Sequence, residues 1–167
     1  MAVPDNDIIL TVGTVRRGVF IMRKATNIIC IVLILGYIIF LAVGWNNFPA
    51  EVPKHFNAAG VADSFGPRTT LLIDPAAMIG LFLLLALAES FPKIWNIPVE
   101  VTEDNAEDIV RTVRNMFGVI KISAVLVCAF AGLMCIYQGF PAWPMYLFVG
   151  IILLSIITGI IQLFRYR

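Results

Sequence analysis

The sequence predicts an all-α integral membrane protein with four transmembrane helices, and three observations indicate this fold class. Of the 167 residues, 60% are hydrophobic and 14% are charged, whereas soluble domains are about 45–50% apolar and about 25% charged. Four apolar stretches are long enough to cross a bilayer, and Lys and Arg are unevenly divided among the segments between them. A net charge of +1 argues against a nucleic-acid-binding protein, which would have a basic face.

Residues 1–24 form a lead that we predict to be cytoplasmic, with residues 1–21 contributing little to the structure. Residues 25–45 contain no charge and, at about 1.5 Å per residue, can cross a hydrocarbon core of about 30 Å. The run is longer than a secretory signal core, and no clear cleavage site follows it. We therefore expect an uncleaved first helix that ends with Trp45 in the aromatic belt at the membrane surface.

The second helix is predicted at residues 71–91. Asp74 and Pro75 suit its start, because Asp is a good N-cap and Pro is favoured at the first helical position. Glu89 lies near the other end of the apolar run. We expect both carboxylates at the membrane interfaces, where water and headgroups solvate them.

Residues 92–121 are predicted to be a cytoplasmic linker followed by an amphipathic helix. Apolar residues recur there at helical spacing, and Thr102 or Asn105 can cap the helix. Glu107 and Arg111 form an expected i,i+4 pair on the wet side. The helix either lies on the membrane surface or projects as a stalk from the next span. A solvated face leading into a membrane helix is favoured over a docking face for a cytosolic partner.

Residues 122–164 contain no charge, and this segment is long enough for two further helices. Gly139, Pro141 and Pro144 predict a turn between them, so we place the helices at residues 122–140 and 143–164. Glycines in these helices can allow close helix approach. Cys30, Cys128 and Cys135 all lie in apolar runs and are expected to be small buried residues, not disulfide partners or metal ligands.

The positions of Lys and Arg predict that both termini are cytoplasmic. Ten of these residues lie before the first helix, between the second and third, and after the fourth, whereas only Lys54 and Arg68 lie in the other connections. By the positive-inside rule, the loop at residues 46–70 then faces away from the cytoplasm. Its several Pro and Gly residues predict an ordered loop.

The loop at residues 46–70 holds the only histidine, His55, together with Glu51 and Asp63. One imidazole and two carboxylates at irregular spacing are a weak signal for a metal site or an acid–base pair. We expect no metal and no other cofactor, with His55 in a structural role. Membrane-bound hydrolysis by His55 and Asp63 remains the least favoured alternative.

The loop nevertheless resembles the signature of the SdpI-type bacterial immunity proteins, a membrane domain family of unknown biochemistry. The family pattern begins with Pro, then Ile or Val followed by Pro, one residue, and His-Phe-Asn. Two residues and Gly follow, and then Asp, an aromatic residue, Gly and a basic residue. The matching positions are Pro49, Val52, Pro53, His55, Phe56, Asn57, Gly60, Asp63, Phe65, Gly66 and Arg68. The resemblance covers about residues 25–121, so we divide the chain into residues 1–24, an SdpI-like domain at 25–121, and the last two helices at 122–167.

This resemblance implies a multi-pass, non-enzymatic protein of the bacterial plasma membrane. Its expected function is immunity against, or sensing of, a secreted antimicrobial peptide, with the loop as the contact surface. The binding residues carried over are His55, Phe56, Asn57, Gly60, Asp63 and Arg68. The implied partners are the lipid bilayer and either a peptide toxin or another membrane protein, in a homo- or hetero-oligomer, with no nucleic acid. The alternative is an accessory or structural subunit of a membrane complex.

Overall fold

The computed structural model describes residues 17–57, 60–137 and 139–166, so most of the predicted N-terminal lead lies outside the described residues. Within them the chain is mostly helical. The helices are α1 (Arg17–Gly44), α2 (Ile73–Ser90), α3 (Ala106–Ile136) and α4 (Trp143–Arg165), and the strands are β1 (Glu51–Phe56) and β2 (Ala62–Pro67). Short 3₁₀ turns cover Trp45–Asn47, Arg68–Leu72 and Pro92–Ile94. The first helix begins at Arg17, eight residues earlier than predicted.

Four of the described helices are long and apolar enough to cross a membrane. They expose large aliphatic side chains outward, such as Val32 and Ile39 on α1 and Leu154 and Ile157 on α4. A soluble fold would place such side chains inside, since burial of apolar surface stabilises folding in water. In a bilayer the hydrocarbon chains surround these faces instead. The chain is therefore a multi-pass membrane protein.

Helix α3 is the centre of the bundle, because it packs against α1, α2 and α4. Two glycines make this close packing possible. A Cβ atom at Gly132 would lie 1.7 Å from the hydroxyl oxygen of Tyr37, and one at Gly159 would lie 2.0 Å from the sulfur of Met116. The predicted close helix approach at small residues is thus present at both positions.

The amphipathic segment and the third predicted helix are one continuous helix of 31 residues. At about 1.5 Å per residue its length is roughly 46 Å, which exceeds a hydrocarbon core of about 30 Å. The amphipathic segment is therefore the first part of the third membrane helix and not a separate helix. Linker residues pack beside it, with Val99, Val101, Ile109, Val110 and Leu163 in one buried cluster. Arg111 forms its ion pair with Asp108, three residues earlier.

The loop between α1 and α2 contains a two-stranded antiparallel sheet, so the all-α prediction is wrong in this segment. Glu51 pairs with Pro67 and Phe56 with Ala62, with a register irregularity around His55. Pro53 within β1 argued against a strand, yet Pro is compatible with edge strands, and both strands here are edges. Val52 is completely buried in the main core together with Phe48 and Leu71. The hairpin is thereby anchored on the helix bundle.

Candidate functional site: a cleft between the hairpin and the bundle

The turn of the hairpin is closed by Asn57 and Gly60. The backbone N–H of Gly60 donates to the Asn57 carbonyl at 2.8 Å, and the side-chain oxygen of Asn57 accepts from the N–H of Val61 at 3.0 Å. Gly60 has a φ of 75°, in the left-handed region where side chains cause strain. Asn57, carried over as a binding residue, therefore also fixes the conformation of the loop.

His55 and Asp63 face each other across the two strands. The Nδ1 atom of His55 lies 2.5 Å from a carboxylate oxygen of Asp63. Both side chains are well exposed, at 67% and 44%, so solvent weakens the pair and its contribution to stability is small. The described residues include no group of three or more His, Cys, Asp or Glu that could hold a metal ion. The pair forms an exposed polar surface on the hairpin.

Arg68 holds the far end of the hairpin against the end of α1. Its guanidinium donates to the carbonyls of Trp45 at 2.6 Å and Pro49 at 3.2 Å. The same group lies 5.8 Å from the centre of the Trp45 ring, within the range of a cation–π interaction. Arg68 is therefore a scaffold residue, separate from the other motif side chains.

The two motif phenylalanines have different surroundings. Phe56 is half-buried and lines a cleft under the hairpin, whereas Phe65 is 50% exposed. Exposed and half-buried residues alternate along β2, and Phe65 occupies one of the exposed positions, on the side away from the bundle. The exposed ring of Phe65 does not pack the loop onto the helix ends. Val52 and Pro53, both buried, do that instead.

A cleft of about 390 Å³ separates the hairpin from the ends of α2, α3 and α4. Its volume lies within the range of about 300–1,000 Å³ that is typical of ligand pockets. Most of its wall is apolar, and a few polar side chains converge on it. The residues that line it are Pro53, Lys54, His55, Phe56, Asn57, Gly60, Thr70, Leu71, Ile73, Asp74, Ala131, Met134, Cys135, Ala142, Met145 and Tyr146.

Asp74 lies in the wall of this cleft and does not cap α2 with its side chain, which corrects the sequence prediction. The helix begins at Ile73, and no side-chain cap bond is present there. A 3₁₀ turn runs directly into the helix, and the Ile73 N–H already donates to the Thr70 carbonyl. A carboxylate of Asp74 instead accepts a hydrogen bond from the Tyr37 hydroxyl at 3.2 Å.

A second polar cluster occupies the opposite end of the bundle. Glu89 was expected at the membrane interface, but it is completely buried and its carboxylate lies 2.7 Å from the Nζ atom of Lys121. Lys121 is also completely buried and donates to the Asn27 side chain. Arg23 approaches the same carboxylate at 3.7 Å. The expectation that water and headgroups solvate Glu89 is therefore wrong, because α1 and α3 cover it.

Sequence reasoning missed Tyr37, Asp74 and Lys121 as members of polar contacts within the bundle. The signal available was a carboxylate at each end of the second apolar run and a lysine directly before the third. Ionisable residues at membrane depth usually face the bundle interior and have partners. Applied without exception, that rule would have predicted inward positions for Asp74 and Glu89.

Comparison with known proteins gives a family match for the segment that contains the hairpin. Residues 32–79 match a family model described as a domain of unknown function, DUF1648. The matched segment covers the second half of α1, the whole hairpin and the first turns of α2, and so includes Tyr37, His55 and Asp74. No curated protein and no solved structure matches the chain. The comparison thus supports a domain of unknown function in a membrane protein, over the segment that forms much of the cleft.

Proposed function

We propose that this chain is a non-enzymatic immunity or sensor protein of the bacterial plasma membrane that binds a secreted antimicrobial peptide. The cleft under the hairpin is the main support for this proposal. It brings four of the six binding residues carried over from the resemblance, His55, Phe56, Asn57 and Gly60, together with the ends of three helices. Loops positioned by a rigid scaffold often carry binding functions, and this hairpin is fixed by Val52 and Arg68.

The composition of the cleft suits a peptide. Phe56, Met134 and Met145 supply apolar contact, and methionine adapts to ligands of irregular shape. Lys54, Thr70 and Asp74 supply polar groups on the same wall. This mixture of an apolar wall and a few polar groups is typical of ligand sites.

The test compares two phenylalanines of the same hairpin. A toxin-sensitive bacterium that expresses the wild type, Phe56→Ala or Phe65→Ala is exposed to a panel of secreted membrane-active peptides, and survival is measured over a dilution series. Phe56 lines the cleft and Phe65 does not. We expect the wild type and Phe65→Ala to protect against the same peptide and Phe56→Ala to lose about tenfold or more of that protection.

Protein level in the membrane is measured for each variant, so that lost protection is compared at equal abundance. Full protection by Phe56→Ala would contradict the proposal, as would a wild type that protects against no peptide. An accessory subunit would behave differently: the same variants would then change which membrane proteins co-purify with the chain, with no effect on survival.

A further inference from the structure

We infer that Asp74, held by Tyr37 in the wall of the cleft, is a recognition site for a primary ammonium group. The biological ligand we assign is an N-terminal or lysine ammonium of a peptide, and that assignment rests on the proposed function. The binding of a small amine is a property of the site itself and can be measured separately.

The first argument is the incomplete set of partners around Asp74. Within the described residues, Tyr37 is its one hydrogen-bond partner, at 3.2 Å. An ionised carboxylate has about four acceptor positions. Asp74 therefore keeps acceptor capacity and lines the cleft, and no Lys or Arg of the described chain forms an ion pair with it.

The second argument is the position of Asp74 in a segment long and apolar enough to span a membrane, Arg68–Ser90. A carboxylate at such a position is costly unless it is paired. Glu89, in the same segment, has Lys121 as its cation. Where Glu89 has Lys121, Asp74 borders the cleft. A positively charged ligand group in the cleft would complete the pair.

The third argument concerns the shape and chemistry of that cation. An ammonium has three donors, so it can donate to the Asp74 carboxylate and still have donors left for other acceptors. The aliphatic stem of a lysine can lie along apolar surface while its charged head meets a polar partner. Ala131, Met134 and Met145 provide such a surface in the same cleft. Lys54, also on the cleft wall, would meet the carbonyl groups of a peptide that enters with its ammonium first.

The experiment uses the full-length protein in nanodiscs of phosphatidylcholine and phosphatidylglycerol, with n-butylammonium as the probe and 1-butanol as its uncharged counterpart. Binding is measured by saturation-transfer NMR. We expect the wild type to bind butylammonium in preference to butanol and Asp74→Asn to weaken amine binding about tenfold or more. Glu103→Gln, an exposed acid outside the cleft, is the matched control and should bind like the wild type.

A second variant keeps the test valid if Asp74→Asn does not fold. Ala142→Trp fills the cleft from the segment before α4 without altering Asp74, and it should weaken amine binding as well. The inference is overturned if a folded form of either variant binds butylammonium as tightly as the wild type. Equal binding of butanol and butylammonium by the wild type would overturn it too.

Two further outcomes separate this inference from the proposed function. Asp74-dependent amine binding without any protection by the wild type would remove the peptide assignment and leave the ammonium site. Protection that is equal in the wild type and Asp74→Asn would overturn the assignment of a peptide ammonium to Asp74 and leave the peptide function. Loss of amine binding when phosphatidylethanolamine is added to the nanodiscs would assign the site to a lipid headgroup and overturn the peptide ligand.

Discussion

Glu89 shows what a single buried charge contributes to this bundle. Its carboxylate meets Lys121 between α2 and α3, and Asn27 on α1 accepts from the same ammonium. Three helices are therefore joined at one point. The second carboxylate oxygen of Glu89 has no hydrogen-bond partner among the described residues, so the pair is not fully satisfied. A buried pair of this kind adds little net stability, because the cost of removing both charges from water offsets their attraction.

We predict that Glu89→Gln strongly destabilises the protein, because it leaves Lys121 buried without a counter-ion. Removing one partner of a buried pair costs about 3–5 kcal/mol. Thermal unfolding in detergent should show a clearly lower midpoint for Glu89→Gln and partial recovery for Glu89→Gln with Lys121→Met. The control is Asp108→Asn, which removes the partner of an exposed arginine on α3 and should change stability by less than about 1 kcal/mol. A Glu89→Gln midpoint equal to that of the wild type would show that the pair does not stabilise the bundle.

At the scale of the element, the hairpin was only partly predictable. The Pro and Gly residues of the sequence predicted an ordered loop at residues 46–70, and Gly60 among them has a positive φ. It did not predict strands, because Pro53 and the short length of the segment are unfavourable for a sheet in isolation. Burial of Val52 with Phe48 and Leu71 supplies what the local sequence lacks.

The turn of the hairpin gives a prediction at this scale. Gly60→Val should destabilise the hairpin, because a β-branched residue is strained at a φ of 75°. The strain should lower the stability of the hairpin by about 1–3 kcal/mol. Limited proteolysis should then cut near residue 60 faster than in the wild type, with all four helices still protected. Gly36→Ala is the control, since a Cβ atom at Gly36 meets nothing within 4 Å. Unchanged proteolysis of Gly60→Val would mean that the turn is not fixed as described.

At the scale of the whole molecule, the four helices were predictable and the contacts between them were not. Charge-free runs determine where a chain can cross a bilayer, and the observed helices α1, α2, α3 and α4 contain most of the predicted residues. The pairs Tyr37–Asp74 and Glu89–Lys121 depend on how α1, α2 and α3 rotate about their axes. That rotation follows from packing at glycines such as Gly132, which no single segment of the sequence encodes.

The packing also changes the argument for orientation. Lys121 was one of ten basic residues assigned to the cytoplasmic side, but it is completely buried in the bundle and does not contribute as a loop charge. Nine basic residues then stand against Lys54 and Arg68. The asymmetry still predicts cytoplasmic termini and a hairpin on the outer face. A peptide arriving from outside the cell could reach the cleft only in this orientation.

The side of the membrane on which the hairpin lies is therefore the most direct test of the account. Val61→Cys, next to the hairpin turn and 59% exposed, and Glu103→Cys, exposed before α3, are labelled with a membrane-impermeant maleimide. The wild type, whose described cysteines are buried or half-buried, is the control. We predict that Val61→Cys is labelled in intact cells and Glu103→Cys only after permeabilisation. Labelling of Val61→Cys only after permeabilisation, or of both positions from the same side, would contradict the four-span orientation and the proposed function with it.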